Sequence, residues 1–279
     1  MVLPVRGRVR HISRRWSNVR QMASADDTHD LAPDLAAETV TVSVPDGAGV
    51  HALLYLPSAP GPHPGITVGM EATGINRFIR DVGARLAGLG YVTIIPDYYR
   101  GGGPPDPEDY EDIDAIMPHT FALDFPRAAR DLIAAADILR GRDDVDGARV
   151  GYWGYCTGAT VALLAACLDR LSAIAVGFYP SQPRFSELTP QRPAHLVDLL
   201  WLLTCPTLII YGDDDIVMPV EALEDLRERL TRWEVDHELR IYAGAGHAFS
   251  APSPSYYHAD AAAASWADAV DYLRRHLPT

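Results

Sequence analysis

One pentapeptide limits the architecture of this 279-residue chain more than any other feature. It is Gly154-Tyr155-Cys156-Thr157-Gly158, set between an apolar run at 150–153 and an apolar helical stretch at 157–168. Glycines two residues to either side of Cys156 suit a sharp strand-to-helix turn, where there is little room for side chains. Such a turn projects its central side chain into a cleft. It places Cys156 at the start of the following helix, whose unpaired amides and dipole favour a thiolate. It also lets the Thr157 amide face a substrate oxygen as half of an oxyanion hole. Three fixed positions in five are easily matched by chance, so the rest of the chain has to agree.

The surrounding pattern does agree. Residues 39–44 alternate in character as a half-buried strand does, Asp46-Gly47 supplies a turn, and 51–56 reads as a second strand. A Pro/Gly-rich connection at 57–65 leads to a central-strand run at 66–70, followed by a helix at 76–89 stopped by Gly90 and a strand at 91–95. Residues 100–118, rich in Gly, Pro and acids, read as a long surface loop. Further helices are expected at 124–140, 157–168, 219–230 and 259–277, and further strands at 150–153, 173–178, 207–211 and 237–242. Repeated strand-helix exchange argues for an α/β architecture. Its sheet would be predominantly parallel and flanked by helices, with the two early strands at one edge. A single catalytic domain is expected over 36–279. Residues 1–35, basic and then acidic with little periodicity, are expected to form a flexible extension.

Charge and cysteine content remove several function classes. Asp plus Glu number 37 against 24 Lys plus Arg, a formal charge of -13, which repels nucleic acid and anionic membrane. No run of about 18 apolar residues suggests a membrane span, and no apolar segment follows the basic start as an export signal would need. Three cysteines, at 156, 167 and 205, are too few and too scattered for a disulfide framework or a thiolate zinc cage. A reducing compartment, the cytoplasm, is the simpler expectation. Cys167, in an apolar helix, and Cys205, before a buried strand, read as core residues.

Partners for Cys156 stand further along the chain. Tyr211-Gly212-Asp213-Asp214-Asp215 follows a strand and offers acids at the sheet's carboxyl edge, while Gly246-His247-Ala248 places a histidine in a small-residue loop after the last strand. Nucleophile, acid and histidine thus occur in the order this architecture requires. Asp215, three residues after Gly212 and four before Pro219, is the expected orienting partner of His247. Asp213 and Asp214 are expected to cap backbone amides or to lie in a solvated turn.

On these motifs the chain from about residue 38 to 277 resembles the dienelactone hydrolase family, which has the α/β-hydrolase fold. The resemblance maps the family's cysteine, aspartate and histidine onto Cys156, Asp215 and His247. A further block, Met70-Glu71-Ala72-Thr73-Gly74, implies that Glu71 helps control the protonation of Cys156 when substrate is absent and that the Ala72 amide is the second oxyanion donor beside Thr157. The activity implied is hydrolysis of a small lactone or ester through a covalent thioester, without metal or dissociable cofactor. General carboxylester or thioester hydrolysis and non-catalytic ligand binding are the alternatives. A small-molecule ester or lactone is the expected partner, and a homodimer is compatible with the sequence without being specified by it. The chain departs from the family pattern where arginines would hold a substrate carboxylate: Ala251 and the region of Ala115 stand there instead. A long connection at 180–205, with Arg184, Arg192, His195 and Trp201, is placed to reshape the pocket.

Overall fold

The computed structural model describes residues 37–279; the extension expected at 1–35 lies outside the described residues. Eight strands form one sheet: β1 (Glu38–Ser43), β2 (Gly49–Tyr55), β3 (His63–Gly69), β4 (Val92–Pro96), β5 (Val145–Tyr155), β6 (Ala175–Phe178), β7 (Thr207–Gly212) and β8 (His237–Tyr242). Their spatial order is β1-β2-β4-β3-β5-β6-β7-β8. The hairpin β1–β2 lies antiparallel at one edge, β2 runs antiparallel to β4, and all pairs from β4 to β8 are parallel. The hairpin turns at Asp46-Gly47 as expected: Gly47 has φ 82°, and the Asp46 carboxylate accepts the Ala48 amide at 3.1 Å. This is an α/β-hydrolase fold with a mixed, largely parallel sheet.

Helices α1 (Arg77–Gly88) and α6 (Ala259–His276) cover one face of the sheet, and α3 (Phe125–Arg140) and α4 (Thr157–Leu168) the other. Two consecutive residues of β5 show the consequence of side chains alternating across a strand. The Tyr152 hydroxyl donates to Asp169 just past α4 at 2.6 Å, while the Trp153 ring meets Trp266 of α6 at 5.5 Å. With both faces covered, the central strand is buried without a polar alternation, as at Gly151–Tyr155. Helix α4 is apolar nearly all round because it lies between the sheet, α3 and the short 3-10 turns at Leu196–Asp198 and Leu200–Leu202.

The structure departs from expectation at three places. The surface loop expected at 100–118 ends early, because α2 (Ile113–Ala122) occupies its second half and contains Pro118. This helix is held from outside: Asp112 caps the Ala115 amide at 3.0 Å, and the Arg192 guanidinium donates to the carbonyls of Thr120 and Phe121 at its far end. Strand β5 begins at Val145, ahead of the expected run at 150–153, with an irregular register against β3 between His63 and Gly65. Helix α5 (Val220–Arg232) starts one residue late, with Pro219 as its cap.

Candidate active site

At the carboxyl end of β5 the chain reverses into α4 at Cys156, whose φ of 50° and ψ of -120° lie in a region that costs a non-glycine residue on the order of 1–3 kcal/mol. Neighbouring groups pin it there. Its amide donates to Phe178 O at 3.0 Å, and its carbonyl accepts the amides of Ala159 and Ser181 at 3.0 and 3.1 Å. The two bracketing glycines serve close approach. A Cβ on Gly158 would sit 2.2 Å from the Met70 carbonyl oxygen at the end of β3, and one on Gly154 would sit 2.3 Å from the Gly158 oxygen. The elbow therefore seats directly on the neighbouring strand, which brings Cys156 beside the Glu71–Gly74 loop.

The histidine and the acid arrive from two other loops. His247 Nε2 lies 3.3 Å from Cys156 Sγ, and His247 Nδ1 donates to Asp215 Oδ2 at 3.0 Å. The Asp215 side chain has no exposed surface, and its other oxygen accepts the Val217 amide at 2.8 Å. Both oxygens are thus committed, and the imidazole ring is held in one orientation. Burial alone would favour neutral His247. The negative charge of Cys156 and the hydrogen bonds to Asp215 and Cys156 outweigh it, and raise the histidine's pKa from 6.5 to about 10. His247 is thus held toward its protonated form beside the Cys156 sulfur. Among the other acids, Asp213 accepts the Gly244 amide at 2.6 Å and so ties the β7 loop to the loop that carries His247, while Asp214 is exposed.

Glu71 is 2% exposed, directly after β3. Burial raises its pKa from 4.5 to about 7, against the opposing effects of a Tyr110 hydrogen bond, the His247 charge and the hydroxyl of Tyr179. Tyr110 donates to Glu71 Oε2 at 2.7 Å, and Asn76 Nδ2 donates to the Tyr110 oxygen at 2.6 Å. Asn76 also caps α1 by accepting the Ile79 amide at 2.9 Å. The loop backbone is fixed by Tyr98, which donates to the Met70 carbonyl at 2.6 Å, and Tyr99, which donates to the Ala72 carbonyl at 3.0 Å. Across the elbow, buried Thr157 is first in α4, and its hydroxyl lies 3.0 Å from that of Ser181.

With this geometry, a family model described as the dienelactone hydrolase family matches residues 50–277. The chain belongs to the dienelactone hydrolase family. A Bradyrhizobium protein provisionally named a 2-oxo-3-(5-oxofuran-2-ylidene)propanoate lactonase is 32% identical over 247 residues, spanning 87% of this chain and 98% of its own. A Methylorubrum extorquens protein provisionally named a carboxymethylenebutenolidase is 30% identical over 247 residues, spanning 88% and 83%. Among solved structures, a provisionally assigned dienelactone hydrolase from Klebsiella pneumoniae superposes with a TM-score of 0.75 at 29% identity, covering 85% of this chain and 98% of that one. The present member of the dienelactone hydrolase family is thus a cysteine-based hydrolase in which Cys156 and His247 are paired.

Several residues of the site were not legible beforehand. Tyr110 stands as the one aromatic among six acids between 106 and 114, and Tyr179 follows β6 with φ 38° and its ring 5.5 Å from that of His247. The connection at 180–205 contributes Ser181, whose hydroxyl meets Thr157. Its basic residues are engaged elsewhere: Arg184 pairs with Asp198 at 3.7 Å, and Arg192 lies among Phe121, Phe125 and Phe185 while capping α2. His195 accepts the Phe185 amide at 3.1 Å, and Trp201 is exposed. Ala251 is fully buried. Cys167 and Cys205 are buried free thiols, and burial pushes both their pKa values up, which keeps them protonated. Among the described residues no helix is long and apolar enough to cross a membrane.

Proposed function

We propose that this enzyme opens a small lactone, or cleaves a small ester, through a thioester on Cys156. The observation that carries this reading is the unbroken chain from Cys156 Sγ through His247 to buried Asp215, mounted on a strained elbow. The thiolate attacks the substrate carbonyl carbon, and the carbonyl oxygen takes up the negative charge. Collapse re-forms the carbonyl as a thioester and expels the alkoxide, which takes a proton from His247. Water then attacks the thioester while His247 accepts its proton; the acid leaves and the thiolate–imidazolium pair returns. A lactone gives one hydroxy acid, an ester an acid and an alcohol.

The amides of Thr157 and Ala72 are our candidates for the oxyanion hole. Thr157 supplies a first-turn amide, which has no acceptor within its helix. Ala72 follows a peptide whose carbonyl is held by the Gly74 amide at 3.1 Å, so the trans amide is held in the opposite direction. Glu71 is assigned control of the proton on Cys156, supported by its burial and its electrostatic contact with His247. For substrate, the lactone named for the Bradyrhizobium relative supports the lactone class. A neutral acyl group suits this chain better than an anionic one, since Ala251 stands in place of an arginine and Arg184 and Arg192 are already occupied. Three unpaired cysteines support a cytoplasmic enzyme.

A panel of lactones, esters and thioesters assayed with the wild type and Cys156→Ala tests the assignment, with intact-mass detection of an acyl adduct. Lactone turnover with an adduct, both lost in Cys156→Ala, is expected. Turnover of open-chain esters or thioesters alone would favour the general esterase reading. Near-wild-type kcat in Cys156→Ala would overturn the mechanism.

A further inference from the structure

From the end of β4 into the first turn of α2 the chain carries Asp106, Glu108, Asp109, Glu111, Asp112 and Asp114, in a protein already at a formal charge of -13. So many like charges should drive a loop away from the body. Instead it is tied down at three separate points. Glu108 Oε1 accepts the Arg77 amide, at the first residue of α1, at 2.7 Å. Glu111 accepts the hydroxyls of Ser253 and of Ser255, the latter at 2.7 Å, in the loop that follows His247. Between these two anchors Tyr110 turns inward and is 9% exposed, its hydroxyl donating to Glu71 and receiving from Asn76.

The geometry points to Tyr110 as a positioning residue of this hydrolase, holding one oxygen of Glu71 while the Glu108 and Glu111 anchors hold Tyr110. This rests on the reading of Cys156 and His247 given above. The chain Asn76 to Tyr110 to Glu71 runs donor to acceptor throughout, so each bond polarises the next. Asn76 is itself locked: its amide oxygen caps α1 and its nitrogen also meets Thr73 at 2.9 Å. Its NH2 can only donate, so the Tyr110 oxygen must receive, and its single proton is directed at Glu71. Glu71 Oε2 is therefore occupied on the side of the acidic loop. Its other oxygen lies 3.5 Å from the hydroxyl of Tyr179, whose ring stands 5.5 Å from that of His247.

The groups acting on Glu71 are Asn76 at the start of α1, His247 of the histidine loop, Tyr98 after β4, Tyr110 of the acidic loop, Tyr155 of the elbow and Tyr179 after β6; Tyr98 also feels Cys156. His247 is the one cation among them. With burial opposing ionisation, the Tyr110 hydroxyl is the strongest single support for the carboxylate form. Removing that proton donor makes Glu71 hold its own proton to higher pH. The loop thereby sets the pH at which a carboxylate charge appears beside Cys156 and His247.

Alkylation of Cys156 by iodoacetamide, followed against pH with peptide mass mapping, reads this without any knowledge of the natural substrate. The wild-type rate profile should carry a step near pH 7 that is absent in Glu71→Gln. Tyr110→Phe should move the step upward by about one pH unit, a tenfold change in proton affinity. Glu111→Ala should move it in the same direction by less. The double variant Tyr110→Phe/Glu71→Gln should follow Glu71→Gln alone. A wild-type profile with no such step, a Tyr110→Phe profile that superimposes on it, or a Tyr110→Phe effect that persists in the Glu71→Gln background would each overturn the assignment. Those outcomes leave Cys156 chemistry intact, whereas hydrolysis surviving in Cys156→Ala would overturn the proposed function itself.

Discussion

Replacing Glu71 by Gln should make this protein more stable at neutral pH, although the residue sits in the active site. The folded carboxyl has a pKa of about 7 against 4.5 for the free group, because burial penalises its charge more than Tyr110, His247 and Tyr179 support it. Between these two values the folded form binds the more protons, so the stabilisation from this group is complete below about pH 4.5 and is lost as pH rises through 7. The gap, at about 1.4 kcal/mol per pH unit, is on the order of 3 kcal/mol. Glutamine keeps an oxygen to accept the Tyr110 proton and carries no charge at any pH. The difference in unfolding free energy, variant minus wild type, should therefore grow by about that amount between pH 4.5 and 8, or roughly 6–12 °C in Tm for a domain of this size. Parallel denaturant and thermal unfolding of the two proteins across that range measures it, and acids that titrate elsewhere cancel in the difference. A difference that stays constant with pH would show that Glu71 does not titrate as a buried carboxyl and would refute the electrostatic argument.

Two further outcomes follow from the same geometry. Asp215→Asn should leave the fold intact and lower kcat on the order of 10²-fold or more, by disturbing the orientation and charge of His247; Asp213→Asn should affect thermal stability more than rate, because Asp213 ties the Gly244 amide, and a dominant kcat loss at Asp213 would move the acid assignment. Arg192→Ala should lower stability, as the α2 carbonyls lose their donor, while the ratio of kcat/KM for an anionic and a neutral lactone stays as in the wild type; selective loss on the anionic lactone would make Arg192 its anchor.

Much of the site could be read in advance because its determinants are local. A cysteine between two glycines, a histidine among small residues and an acid between a strand and Pro219 each declare a turn at a strand end, and their order along the chain admits one architecture. Tyr110 could not be read this way. A lone tyrosine in an acidic, proline-rich run has the composition of a solvated loop, and the loop is fastened by Arg77, Ser253 and Ser255, which are far from it in sequence. Helix α2 was missed for a related reason: Pro118 within it argues against a helix, and the Arg192 donor that secures its end comes from about seventy residues away.

By itself the sequence determined the alternation of strands and helices, the hairpin at the sheet edge, and the order in which a cysteine, a run of three acids and a histidine arrive at strand ends. These follow from backbone requirements and hydrophobic periodicity that act over a few residues. Only the tertiary structure decided that Gly158 rests on the end of β3, that Asp215 and not Asp213 meets the imidazole, that Arg184 and Arg192 are engaged away from Cys156, and that Tyr110 reaches Glu71. Each of these depends on contacts across several strands. Their energies come from burial and from hydrogen bonds between groups that the chain brings together only when the sheet is complete.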